Sequence, residues 1–460
     1  MGRHSGLVVC VMALAWGCGR IGYTYLDETS PPTGDGGLDG TSDGAFDGSS
    51  DGASDGSADG TTDGNTCPPS CDEGQACTAN ADCATGFCYN ATCAEAACVE
   101  ASRISFKEVG AYASSHQCGI RNDGTLWCWG SHTYGQLGIG APTGSGHDKG
   151  SPTQVGTETT WKAIAGLADS HTCAVKDDGS MWCWGRNNQH QLGLGETGGP
   201  QEVQPVQVGT DLDWDKVTTC GSPCSCALRT DQSLWCWGAL LVFAAPLAED
   251  PAPISSPAVQ WRSVAGGDLH VCGIDTTNVL WCVGKNIYGQ LGTGAFSIEE
   301  TAPVVVTGGH SWRKVAAGVN FTCALELDST LWCWGSNVQG QLGQGTMGYG
   351  INSPVQVGTA AWLDISLGAT HACGVRSDAT LWCWGSNNSG ELGQGSISPA
   401  VLQPAQVGSD AWWKSVHVGS AFSCARREDD SLWCWGDNQH GQLGGGTVGG
   451  TQSLPESVCR

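Results

Sequence analysis

Fourteen of the 26 cysteines in this 460-residue chain fall into seven pairs ten positions apart: Cys118/Cys128, Cys173/Cys183, Cys226/Cys236, Cys272/Cys282, Cys323/Cys333, Cys373/Cys383 and Cys424/Cys434. Thiols at that offset can meet across a short hairpin, where opposed Cβ atoms lie about 4.5–5.5 Å apart, and oxidise to a disulfide. Cys220 and Cys224 form a shorter eighth pair. In four copies a histidine stands two residues before the first cysteine (His116, His171, His270, His371), and imidazoles meeting at one axis would suit a metal. Cys224, Phe321 and Phe422 hold that position in the other copies, and exchange with phenylalanine marks it as a packing position. Hydrolysis or lyase chemistry on a polysaccharide would need carboxylates gathered at one face, for which Asp148, Glu196, Glu299 and Glu300 are the available acids. No catalytic constellation emerges, and no helix follows the Gly-x-x-Gly turns to cradle a phosphate. No catalytic, cofactor-binding or metal residue is therefore assigned.

The elements that must position these residues recur. Each second cysteine lies in Trp-Cys-Trp-Gly or a near variant, opening at Trp127, Trp182, Trp235, Trp281 (with Val283 for the second Trp), Trp332, Trp382 and Trp433. Spacings of 46 to 55 residues suit one four-stranded propeller blade per copy. Asn122-Asp123-Gly124 is a hairpin-turn signal; folding there sets Cys118 opposite Cys128 and turns Trp127 and Trp129 to the other side. Indoles placed so regularly read as core rather than as a sugar-stacking surface. An aromatic opens a further strand 20 or 21 residues before each tetrapeptide, at Phe106, Trp161, Trp214, Trp261, Trp312, Trp362 and Trp413. Most copies continue into a turn such as Gly135-Gln136-Leu137-Gly138. The third copy lacks it: residues 239–258 are apolar and proline-rich. There Leu240, Leu241, Val242 and Phe243 form a candidate contact patch, with a degenerate blade strand as the competing reading.

This order of aromatic strand, hairpin, Trp-Gly and Gly-Gln-Leu-Gly turn resembles the repeat of the regulator of chromosome condensation family over residues 99–460. The resemblance implies an all-β, seven-bladed β-propeller. The family's best-known activity, nucleotide exchange on a small nuclear GTPase, needs an intracellular partner and is not carried over. The closer analogy is with secreted bacterial propellers that bind another protein across one face. Pro-x-x-Val strands separate the copies, none precedes the first, and Pro455-Glu-Ser-Val458 follows the last. The expectation is that this C-terminal strand completes blade one, beside residues 106–109, and closes the ring.

Three segments precede the repeats. Residues 1–17 combine Arg3, an apolar run from Leu7 to Trp16 and small Gly17 before Cys18, the pattern of a bacterial lipoprotein signal peptide with Cys18 lipidated. Residues 18–66 carry Asp-Gly at every fourth position from Asp35 to Asp63, a self-repelling composition expected to stay a disordered tether. Residues 67–98 hold seven cysteines and few apolar side chains, a small disulfide-rich module. With Cys10 and Cys18 set aside, the pairs above leave those seven and Cys459, so Cys459 is expected to bridge to the module, at Cys98. Residues 19–98 hold fourteen acids and one base, about half of the formal charge of −25, and the absence of a basic patch disfavours nucleic acid. The chain thus reads as an exported, membrane-anchored, monomeric lipoprotein of the bacterial envelope, at the outer membrane or cell surface. Its propeller would bind an unidentified protein or glycan without a cofactor; a surface enzyme and a purely structural protein are the alternatives.

Overall fold

The computed structural model describes residues 104–460, apart from 111–114, 142, 145, 166–169, 222, 240–247, 255–258 and 460, together with the two-residue strands Cys88–Tyr89 and Thr92–Cys93, which pair antiparallel. Cys18, Cys98, the signal and linker segments, and Leu240, Leu241, Val242 and Phe243 lie outside the described residues.

Seven four-stranded antiparallel sheets follow one another along the chain. Blade one comprises Glu108–Val109, His116–Ile120, Leu126–Gly130 and Lys149–Gln154; blade seven comprises Trp413–Val418, Phe422–Arg427, Leu432–Asp437 and Thr451–Ser457. First strands of neighbouring blades pack against one another around the axis, while fourth strands such as Gln201–Gln207 and Ala400–Gln406 are half-exposed at the periphery. Alternation along the third strand explains the core. In Leu331–Asn337 the cysteine joins its neighbour strand while Trp334, one step on, is fully buried.

Register places every cysteine pair face to face. Cys118 stands opposite Cys128, Cys173 opposite Cys183, Cys226 opposite Cys236 and Cys272 opposite Cys282. Cys323 stands opposite Cys333, Cys373 opposite Cys383 and Cys424 opposite Cys434. All seven pairs are bridged, as Cys118–Cys128, Cys173–Cys183, Cys226–Cys236, Cys272–Cys282, Cys323–Cys333, Cys373–Cys383 and Cys424–Cys434, with Cα separations of 4.0 to 4.1 Å. The Arg121 amide donates to the Thr125 carbonyl at 2.9 Å, so alternation along the hairpin leaves Cys118 and Cys128 at a non-hydrogen-bonded position. That is the narrower of the two antiparallel spacings, which brings the two sulfurs within bonding reach. Cys220–Cys224 is bridged across the turn between the first two strands of blade three, with Cα atoms 5.1 Å apart.

The C-terminal strand corrects the expected closure. Thr451–Ser457 pairs with Leu432–Asp437, with Trp433 opposite Ser457, so it is the fourth strand of blade seven, and blade one owns all four of its strands. The error was one of phase: each Pro-x-x-Val segment ends its own blade, as Lys149–Gln154 ends blade one, instead of beginning the next. Closure comes from repeated junctions. The amide opening each first strand donates to the hairpin-tip carbonyl of the preceding blade: Trp161 to Gly124 at 3.2 Å, Trp413 to Ala379 at 3.1 Å and, across the closing seam, Phe106 to Asp430 at 3.0 Å. The tip residue must adopt positive φ to aim that carbonyl. Gly124 and Gly179 do so freely, but Gln232, Asn278, Ser329, Ala379 and Asp430 hold the same conformation with a side chain.

Candidate functional site

The four histidines do not converge on a metal. His116, His171, His270 and His371 are buried, and each places Nε2 2.8 to 2.9 Å from a hydroxyl of the next blade: Thr172, Ser225, Thr322 and Ser423. Each hydroxyl donates its one proton to a loop carbonyl of the histidine's own blade, Gln136, Gln191, Gln290 or Glu391, so the imidazole must donate through Nε2. Burial pushes the imidazoles down, to about 3 for His116 and His171 and about 4 for His270 and His371, so they stay neutral. The pairing is reciprocal in sequence. Where a blade has Cys224, Phe321 or Phe422 instead of histidine, the next blade has Val271, Ala372 or Gln117 instead of a hydroxyl. These are blade-to-blade staples. Among the described residues no group of three or more His, Cys, Asp or Glu side chains could hold a metal ion.

The acids considered for hydrolysis are separated by their partners. Asp148 of blade one accepts from the His132 amide at 2.9 Å and sits 2.8 Å from His440 Nδ1 of blade seven. Glu299 pairs with Lys285, Glu300 accepts from Ser297 Oγ at 2.9 Å, and Glu196 lies in the 3-10 turn Gly195–Thr197 of blade two. That turn borders a cavity of about 380 Å³ between blades two and three, lined by Leu194, Thr197, Glu202, Val206 and Asp250. Cys459 is buried and disulfide-bonded.

Two surfaces that the sequence does not announce stand out. On the face carrying the loops between third and fourth strands, Tyr288 and Phe296 of blade four meet Tyr349 of blade five, with ring centroids 5.0 Å and 6.3 Å from it. Phe296 and Tyr349 are more than half exposed, and Ile287, Ile298, Val338 and Met347 are exposed on the same loops and strand starts. Among the described residues the twelve largest fully buried side chains are all tryptophans, so Phe296 and Tyr349, exposed beside half-buried Tyr288, stand apart from the buried aromatics.

On the opposite face, charged side chains of both signs recur from blade to blade. Hairpin tips carry Asp123, Asp178, Asp231, Asp328, Asp378 and Asp429, each accepting from the amide and hydroxyl of a Ser or Thr two residues on, as Asp178 does from Ser180 at 2.9 and 2.6 Å. In five of these blades the same hydroxyl receives the indole N–H of the tetrapeptide's first tryptophan, such as Trp182 at 2.9 Å, and Trp332 divides its N–H between Thr330 and Glu326. Hydrogen bonds from the hydroxyl hold the Asp123, Asp178, Asp231 and Asp378 carboxyls below the usual range. At the starts of the first strands stand Lys107, Lys162, Arg262, Arg313 and Lys414, with Asp215 and Leu363 at the same place in blades three and six and Lys216 one residue beyond Asp215. They reach sideways: Lys216 to the Arg262 carbonyl at 3.0 Å, Arg262 to the Trp312 carbonyl at 2.8 Å, Arg313 to the Leu363 carbonyl at 3.2 Å. Lys162 pairs with Asp215 at 2.8 Å and Lys414 with Asp430 at 2.9 Å.

Profiles of the regulator of chromosome condensation (RCC1) repeat match residues 106–136, 169–191, 312–341, 362–391 and 413–442, and, in a second form, 123–175, 278–325, 328–375 and 378–426. The chain belongs to the RCC1-repeat family. It is 29% identical over 249 residues to the ultraviolet-B receptor UVR8 of Arabidopsis thaliana, covering 50% of this chain and 53% of that protein. It is 34% identical over 146 residues to the human E3 ubiquitin-protein ligase HERC2, covering 30% of this chain and 3% of that one. The chain thus spans about half of the first relative and a small part of the second. Human WBSCR16 shares the fold at a TM-score of 0.66 with 18% identity, over 73% of this chain and 94% of that one. Yeast RCC1 (Prp20), solved bound to Kap60, shares it at 0.64 with 19% identity, over 78% and 85%.

Proposed function

We propose that this chain is an exported, lipid-anchored protein of the bacterial envelope whose propeller binds another protein through its loop rim. The observation that carries the binding reading is the exposed pair Phe296 and Tyr349, backed by half-buried Tyr288, with Ile298 and Met347 beside it. Aromatic and methionine side chains held at a junction of two rigid blades form a preorganised apolar contact of the kind that supplies binding hot spots. Prp20, a propeller of this fold, is described as binding Gsp1p and histones, which supports protein recognition by such a ring without naming this chain's partner. Export is supported by the apolar run before Cys18 and by a disulfide in every blade, since such bonds persist in oxidising compartments.

The test is crosslinking of the full chain in its native envelope, beside a Phe296→Ser/Tyr349→Ser variant. Loss of the crosslinked protein in the variant, with melting temperature unchanged, is the expected outcome. An unchanged crosslinking pattern would remove the rim from the reading, and retention on a glycan array that depends on the same two residues would assign the patch to carbohydrate. A Cys18→Ser chain should lose its lipid and leave the membrane fraction.

A further inference from the structure

Counted from the tryptophan that opens each tetrapeptide, the positions 15 and 17 residues on hold Phe296 and Ile298 in blade four, Met347 and Tyr349 in blade five, Ile397 and Pro399 in blade six, and Val448 and Gly450 in blade seven. The six largest of these side chains are each more than half exposed. Blade two has Thr197 and Gly199 there. The four loops are held alike. An asparagine amide donates to the carbonyl just before the first position: Asn286 to Ala295 at 3.0 Å, Asn337 to Thr346 at 2.8 Å, Asn387 to Ser396 at 2.8 Å and Asn438 to Thr447 at 3.3 Å. A glycine amide slightly earlier donates to the fourth strand of the next blade: Gly294 to Asn352, Gly345 to Leu402, Gly395 to Ser453 and Gly446 to Gly150, at 2.8 to 2.9 Å. Like positions of blades repeated about one axis stand at one height, so these tips form a rigid, level arc over four of the seven blades. The arc is also neutral within an acidic ring. Residues 99–460 hold 31 acids against 18 lysines and arginines, yet 286–298, 338–357, 387–407 and 438–454 hold one acid, the buried Glu391, and no lysine or arginine. Glu299 and Glu300, which follow Ile298, are engaged by Lys285 and Ser297.

Resting on the rim reading above, we propose that the partner is a second molecule of this chain, seated arc to arc about a two-fold axis that runs between blades five and six. Two acidic rings repel where charged surfaces meet; at the arc only neutral loops meet, and charge beyond it is screened over about 8 Å at physiological salt. Exposed Glu196 and Asp250 lie on blades two and three, off the arc. A proline in each fourth strand, such as Pro303, Pro354 and Pro404, discourages pairing at the outer edges and leaves the loop face for association. Size supplies the register. Bulk falls along the arc, from Phe296 and Ile298 to Val448 and Gly450. A two-fold axis at its middle sets blade four of each molecule against blade seven of the other, so the bulkiest tips meet the glycine-rich tip, residues 444–450, and blade five meets blade six. The tips at residues 295–299, 346–350, 396–399 and 447–450 approach the roughly 20–30 residues a side of a stable interface. A lipid surface would call for lysines or arginines beside the apolar tips, and the arc has none.

Sedimentation velocity of the full Cys18→Ser chain, which cannot associate through an acyl group, provides the test. Over roughly 1–100 μM the chain should pass from monomer to dimer. Phe296→Glu and Val448→Lys should each weaken the dimer about tenfold by setting an unpaired charge against an apolar tip. Phe296→Glu/Val448→Lys should recover most of that loss, because each glutamate then faces the lysine of the other molecule, and the two substitutions stand at opposite ends of the arc within one molecule. All three variants should melt as their parent does when dilute. A chain that stays monomeric throughout the range overturns the proposal. So does a dimer indifferent to both single variants, or a double variant no better than the weaker single one. Binding of phosphatidylglycerol-containing vesicles by a monomeric chain, abolished by Phe296→Glu, would assign the arc to a lipid surface instead. A monomeric chain whose envelope crosslink is nevertheless lost in Phe296→Ser/Tyr349→Ser would sink the second molecule and keep the rim reading, whereas a monomeric chain with an unchanged crosslink would sink both.

Discussion

Trp129 Nε1 donates to the carbonyl oxygen of Gln442 at 3.0 Å, joining the first blade to the last by the bond that Trp184 makes to Gln136, Trp384 to Gln341 and Trp435 to Glu391 within the ring. The loop after the third strand therefore serves the following blade at these seams, the closing one included. Ile104, whose amide donates to the Val458 carbonyl at 3.4 Å, packs in one buried cluster with Phe106, Trp129, Leu443 and Val458.

Equivalence of the seams is measurable. Trp129→Phe and Trp384→Phe each remove an indole donor and keep much of the ring volume, so each should cost about 1–3 kcal/mol. Urea unfolding of the two variants should give matching losses. A much smaller loss at Trp129 would mean that the first and last blades are not held as the inner ones are.

The blade count and the hairpin register could be read from the sequence because both are written locally, in a turn and in two cysteines ten residues apart. Strand phase could not, because Pro455-Glu-Ser-Val458 looks the same whether it ends one blade or begins another; only its pairing with Leu432–Asp437 decides. The aromatic trio was hidden for a related reason: Phe296 and Tyr349 belong to different copies and meet only because a loop of one blade leans on the outer strand of the next. The histidine staples did leave a signal, in the reciprocal presence of a hydroxyl one blade on, and it becomes visible once blade n is compared with blade n+1 instead of with itself.

Those staples make stability depend on pH. Their imidazoles titrate near 3 to 4 when folded and near 6.5 when unfolded, so the unfolded chain binds more protons between those values. Stability is complete above about pH 6.5 and drains as pH falls toward 4. Blades five and six show how to remove one contribution, with Phe321 facing Ala372. His371→Phe/Ser423→Ala should change stability little at pH 7 and raise it by about 2 kcal/mol over the native chain at pH 4.5. Denaturant midpoints that shift equally at both pH values would refute the assignment.

Hairpin tips offer a test of backbone strain. A Cβ at Gly124 (φ 78°) would come within 2.0 Å of the Thr159 carbonyl oxygen, so Gly124→Ala should destabilise by about 1–3 kcal/mol. Ala379 holds the same conformation at φ 63°, and Ala379→Gly should stabilise by about 0.5–1 kcal/mol once the flexibility of glycine is set against the strain relieved. Thermal melts should move in opposite directions.

Two irregularities of the repeat are one structural fact. Blade three's sequence lacks the Gly-Gln-Leu-Gly turn, and blade four has Val283 where the donor tryptophan stands in every other blade. Since the loop of one blade supplies the carbonyl for the tryptophan of the next, the sequence drops the turn and the tryptophan together. The histidine staple is missing at the same seam, with Cys224 facing Val271, and the Cys220–Cys224 bridge sits there instead. Restoring the consensus at Val283 alone should therefore harm the protein. Val283→Trp would force an indole into a buried valine site without its usual loop carbonyl to receive the N–H, at a cost of about 1–3 kcal/mol. Replacing residues 239–247 with a Gly-Gln-Leu-Gly turn of the blade-two type should recover most of that loss in Val283→Trp and little in the native chain. Urea unfolding of the four proteins forms a double-variant cycle, and an interaction energy near zero would break the link between loop and tryptophan.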